Sequence, residues 1–83
     1  MANLTPIAAI GSNLELNAQV QSILVTFFEV RIFTDTDRAI DALQQEAFYA
    51  IIVDNNVKPT GGLPFLERTK KIPSIESIPK ILL

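Results

Sequence analysis

Eighty-three residues permit one domain, and a chain this short buries only ~60–65% of the surface its unfolded form exposes. Nearly half of the residues are apolar and 19% are charged, which argues for a packed domain and against disorder. With neither cysteine nor histidine, the chain is excluded from disulfide frameworks, thiolate or imidazole metal sites and Ser-His or Cys-His catalysis; a net charge of −2 gives no electrostatic ground for nucleic-acid binding.

The first strand is predicted from Pro6 to Ile10 and ended by Gly11. Ser12-Asn13-Leu14-Glu15 then fits a capping box, in which the Ser12 hydroxyl and the Glu15 carboxylate satisfy backbone N–H groups reciprocally. Leu16, Val20, Ile23, Leu24 and Phe27 follow at helical spacing, with Asn17, Gln21 and Ser22 on the other side, and predict an amphipathic helix. Val30-Arg31-Ile32-Phe33 is a second strand, rich in β-branched and aromatic residues. Thr34-Asp35-Thr36-Asp37 supplies N-caps for a second helix, whose buried stripe is Ala39, Ile40 and Leu43, with Gln44, Gln45 and Glu46 facing water.

Tyr49-Ala50-Ile51-Ile52-Val53 has no polar alternation, as expected of a strand covered on both faces in a parallel sheet. Residues 54–62 form the longest loop, punctuated by Pro59 and the Gly61-Gly62 pair, which serves backbone geometry before a helix. That third helix is expected to begin near Pro64 and to carry Phe65, Leu66 and Ile72 inward. Residues 73–79 read as a connection, and Ile81-Leu82-Leu83 as the start of a fourth strand. The order βαβαβαβ predicts an α/β parallel sheet with right-handed crossovers.

The seven basic residues are scattered, and the one cluster, Arg68, Lys70 and Lys71, reads as a solvated helix face. The longest apolar run, Phe48 to Val53, is far short of the ~18 residues a membrane span needs. Met1-Ala2-Asn3-Leu4 lacks the charged start and long apolar stretch of a signal peptide, so a soluble, cytoplasmic protein is expected, with neither membrane nor nucleic acid as partner. The phenylalanines at 27, 28, 33, 48 and 65 are expected in the core or at an interface.

From Tyr49 onward the order of features resembles the response-regulator receiver (CheY-like) family. An aspartate follows a fully apolar strand in Ile51-Ile52-Val53-Asp54, then comes Gly62-Leu63-Pro64-Phe65-Leu66 at the family's spacing, then Ile78-Pro79 opening a fourth strand. Ala39-Ile40-Asp41-Ala42-Leu43 looks like the family's second helix, and Pro6 to Ile10 like its first strand. The resemblance implies a flavodoxin-like sheet of order 2-1-3-4-5, with ligands beyond the carboxyl ends of strands one and three. It also implies that Asp54 is a phosphoacceptor or the relic of one, served in working receivers by a histidine kinase and Mg²⁺.

Against that pattern, Gly11 and Ser12 stand where the family carries its metal-holding acidic pair. Lys58 stands where a proline is usual, with Pro59 one later, and Asn55 and Asn56 replace an apolar residue and a metal-facing one. No cofactor is required by these residues, and any Mg²⁺ held through Asp54 and the Asn56 backbone carbonyl is expected to bind weakly. Lys58 is placed to offer its ammonium to Asp54 in place of a cation. The chain reads as an incomplete receiver-like domain over 1–83, lacking the family's final strand and helices, with exposed apolar surface and a free sheet edge that favour self-association or domain swapping.

The expected function is therefore that of a non-enzymatic signalling module: a pseudo-receiver that acts by binding a protein partner, such as a histidine kinase or an output domain. The alternative is an authentic receiver phosphorylated on Asp54. A nucleotide-binding or enzymatic module on the same frame is disfavoured by the lack of His, Cys and a glycine-rich loop.

Overall fold

The four apolar runs become four parallel strands: β1 (Ile7–Ile10), β2 (Val30–Phe33), β3 (Ala50–Val53) and β4 (Lys80–Leu82). The computed structural model describes residues 6–58 and 61–83. Helices α1 (Leu14–Leu24), α2 (Thr36–Gln45), α3 (Gly62–Thr69) and α4 (Pro73–Glu76) lie between the strands. The strand order is β2-β1-β3-β4, so the sheet grows outward in both directions from β1. Ile7 stands opposite both Val30 and Ala50, and Ile51 stands opposite Lys80.

Side-chain alternation divides the sheet into two faces. Ala8, Ile10, Ile51 and Val53 point toward α2, α3 and α4, and close a core with Ala39, Ile40, Leu43, Phe48, Val57, Phe65 and Ile75. All of these are buried, and Leu66 and Ile72 pack against them as the sequence predicts. Among the described residues the other face is covered by α1 alone, which lies against β1 and β2. Beside it an apolar groove runs between Val20, Ile23 and Leu24 of the helix and Ile52, Ile81 and Leu83 of the sheet.

Several local expectations are corrected. The capping box does not form: the N-cap of α1 is Asn13, whose Oδ1 accepts the Leu16 N–H at 3.1 Å. Ser12 is drawn instead to partners on two other loops, which no local motif displays. Ile23 and Phe27 are 72% and 71% exposed rather than buried, because α1 ends at Leu24 and none of the described residues packs on its β4 side. Asn17, expected on the polar face, is buried.

The third helix starts at Gly62, two residues before Pro64, which keeps the proline within the first turn. Residues 73–79 contain the one-turn helix α4, opened by Pro73 and anchored by the fully buried Ile75. One turn carries no periodicity, so its sequence reads as a loop. Lys80 Nζ donates to the carbonyls of Ile75, Glu76 and Ile78 at 2.8–2.9 Å, closing the C-terminal end of α4. Burial pushes the Lys80 ammonium below the usual lysine range, opposed by the charge of Glu76.

Candidate functional site

The ladder itself brings the candidate residues together. Gly11 N–H donates to the Phe33 carbonyl at 2.9 Å, and Asp54 N–H to the Ile10 carbonyl at 2.8 Å. The loops after β1, β2 and β3 therefore leave the sheet side by side at its carboxyl end, where a parallel sheet binds its ligands. Asp54 ends β3 at this point, half-buried, with its Oδ1 accepting the Asn56 N–H at 3.1 Å.

Gly11 lies against this aspartate. A Cβ added to Gly11 would stand 3.2 Å from Asp54 Cβ and 2.9 Å from Asn17 Oδ1. The side chain missing at position 11 is thus replaced by the carboxamide of Asn17, reaching back from the first turns of α1. Asn17 Nδ2 donates to the Gly11 carbonyl at 2.8 Å, which accounts for its burial. Sequence reasoning missed this residue; the one signal for it is a glycine after β1 followed six residues later by an amide side chain.

Ser12 ties three loops together. Its Oγ accepts the Lys58 N–H at 2.9 Å and donates to the Thr34 carbonyl at 3.1 Å. The Lys58 carbonyl in turn accepts the Thr36 N–H at 3.1 Å. Lys58 is held by its backbone, and its ammonium forms no ion pair with Asp54. The substitution expected of it, a lysine charge in place of a cation, is absent. On the far side of the loop, Gly61 adopts φ 86° and caps α3, a left-handed conformation that favours glycine. Gly62 leaves no room for a side chain, since a Cβ would meet Leu82 Cδ1 at 2.6 Å and Asn55 Cα at 2.9 Å.

Among the described side chains around Asp54, Mg²⁺ would find a single carboxylate, Asp54 itself. That ion asks for a near-octahedral set of oxygens and releases its water reluctantly. Here Gly11 contributes no side chain, the Ser12 hydroxyl is engaged by Thr34 and Lys58, and Asp54 Oδ1 holds the Asn56 N–H. Among the described residues, no three acidic, histidine or cysteine side chains come together. Of the basic cluster, Arg68 pairs with Asp37 at 2.8 Å and Lys70 lies 3.3 Å from Glu67. No described helix is long and apolar enough to cross a membrane.

A parallel sheet of order β2-β1-β3-β4, flanked by helices on both faces, with an aspartate at the carboxyl end of β3, defines a flavodoxin-like α/β protein. The particular fold is that of response-regulator receivers. The N-terminal receiver domain from Methanoculleus marisnigri matches with a TM-score of 0.86 and 18% identity, over 96% of this chain and 66% of its own. The chemotaxis response regulator of Vibrio cholerae gives 0.87 and 20%, over 96% and 68%. A phosphorylated cyanobacterial phytochrome response regulator gives 0.85 and 22%, over 96% and 64%. The chain thus spans about two thirds of the length of these structures. No family model and no curated protein matches the sequence.

Proposed function

We propose that this chain is a two-component signalling module that works as a pseudo-receiver, binding a protein partner without depending on phosphorylation. The observation that carries the reading is the environment of Asp54: a glycine and a committed serine take the places of the resemblance's acidic pair, and Asn17 fills the space beside Gly11. A phosphoryl group on Asp54 would bring further negative charge to a carboxylate that, among the described residues, pairs with no cation. The fitting partners are a histidine kinase or an output domain. Asp54 is then a relic phosphoacceptor, retained where it caps the turn to Asn56.

Authentic phosphorylation is the second reading, favoured by one observation: Asp54 keeps the end-of-strand position beside β1 that the chemistry uses. Intact-mass analysis after incubation with acetyl phosphate and Mg²⁺ separates the two. In an authentic receiver a carboxylate oxygen of Asp54 attacks phosphorus and acetate leaves, adding one phosphoryl group. The pseudo-receiver reading expects no gain. A gain in the native chain that disappears in Asp54→Asn overturns it. The control that rebuilds the acidic pair combines Gly11→Asp and Ser12→Asp with Asn17→Ala, because a Cβ at position 11 would come within 2.9 Å of Asn17 Oδ1.

Self-association belongs to the same reading, with a second copy of this chain as occupant of the β4 edge. Ile51 N–H donates to Pro79 and Leu83 N–H to Val53, so residues 79 and 83 face β3 while Lys80 and Leu82 turn their backbone groups outward. Two such edges match when paired antiparallel about Ile81, with Lys80 of one copy opposite Leu82 of the other. Edge strands are commonly protected by a lysine. Here the only charge on β4, Lys80, is committed to the end of α4.

A further inference from the structure

The loops at the carboxyl end of the sheet belong to three different βα units, and loops of this kind are the segments that move most easily. In this chain one hydroxyl bonds across all three. Ser12 Oγ uses a lone pair on Lys58 N–H from the loop after β3, and its proton on the Thr34 carbonyl from the loop after β2. The second bond from the Lys58 residue, Thr36 N–H to its carbonyl, fixes the same peptide segment from the other side. Asn17 adds a fourth tie, from α1 to the Gly11 carbonyl. Every one of these bonds is between neutral groups, so none requires a cation or a phosphoryl group to form.

We propose that Ser12 is a positioning residue: its hydroxyl braces the three loops into one fixed arrangement, so the face they form is set permanently and independently of Mg²⁺. The proposal rests on the pseudo-receiver reading and deepens it, because it supplies the reason such a face could bind a partner without a switch. The serine does the bridging by hydrogen bonds that span 22 and 46 residues of sequence. A carboxylate in its place could accept from Lys58 but has no proton for Thr34, so the brace and an acidic pair exclude one another. Threonine keeps both functions of the hydroxyl; alanine keeps neither.

Amide hydrogen exchange on the whole chain reads the brace directly, at the Lys58 and Thr36 amides. In the native chain both are expected to be protected, and addition of MgCl₂ is expected to leave their rates unchanged. Ser12→Ala is expected to speed exchange at Lys58 by about tenfold, the order of one lost hydrogen bond, while Ile10 and Ile51 in the strands keep their protection. Ser12→Thr is expected to restore the native rate at Lys58. An unchanged Lys58 rate in Ser12→Ala overturns the proposal. So does slowing of Lys58 exchange by MgCl₂ in the native chain, a measurement that needs no variant and therefore stands even if Ser12→Ala fails to fold. Phosphoryl uptake at Asp54 would remove the pseudo-receiver reading on its own, whereas a mobile Lys58 amide would remove only the brace.

Discussion

The two faces of the sheet are built to different standards. On one, three helices close over Ala8, Ile10, Ile51 and Val53, and every large side chain of the cluster is buried. On the other, α1 stands alone among the described residues, its apolar residues are half-buried or exposed, and its one buried side chain is the polar Asn17. The strands do not account for this, since Arg31 and Lys80 lie in register with Ala8 and Ile51 on the better-packed face, and the strand residues facing α1 are all apolar. The difference lies in how many helices the described residues supply to each. The burial that stabilises this fold is therefore greater on the α2–α3–α4 side, while on the α1 side Ile7 and Ala9 are buried but Ile23 and Ile81 keep apolar surface exposed.

The largest effect expected from breaking this comparison is at Phe65. Its ring is wholly enclosed in the three-helix face, at 0% exposure. Truncation to alanine should cost ~3–5 kcal/mol, a large part of what a domain of this size has to lose. Urea unfolding followed by circular dichroism would show the transition shifted to much lower denaturant, or a chain already unfolded in buffer. A loss below ~1 kcal/mol would mean that the three-helix face is not the seat of stability.

A smaller effect sharpens the account of how α1 begins. Asn13→Ala removes the bond to Leu16 N–H and should cost ~0.5–2 kcal/mol, whereas Glu15→Ala should change little, since Glu15 is exposed and not part of a capping box. The reverse ranking in thermal unfolding would restore the capping box that the local sequence suggests. The pair shows where sequence reading succeeds and where it stops. The strands, α2 with its Ala39-Ile40-Leu43 stripe, and Asp54 at the end of β3 were legible because each depends on periodicity or on adjacent residues. Ser12 was misread because two loops compete for its hydroxyl against the local cap. Asn17 was misread because its burial depends on a glycine that leaves space for it, and α4 because one turn shows no period.

The smallest expected effect on stability carries the most information about the α1 face. Ile23 is 72% exposed and lines the groove beside Ile81 and Leu83. Replacing it by lysine takes little packing away, so the unfolding free energy should move by no more than ~0.5 kcal/mol. Association is a different matter. If the α1 and β4 side meets a second copy, a lysine there introduces a charge that must be desolvated in the contact. Sedimentation velocity over a concentration series should then show the native chain associating and Ile23→Lys remaining monomeric, with unfolding midpoints that coincide. A native chain that stays monomeric at high concentration would remove the second copy as occupant. A large loss of stability in Ile23→Lys would show that α1 packs more tightly than its exposure indicates, and the two faces would no longer differ in kind. Unchanged stability together with lost association would mean that one face holds the fold and the other offers its apolar surface to a partner.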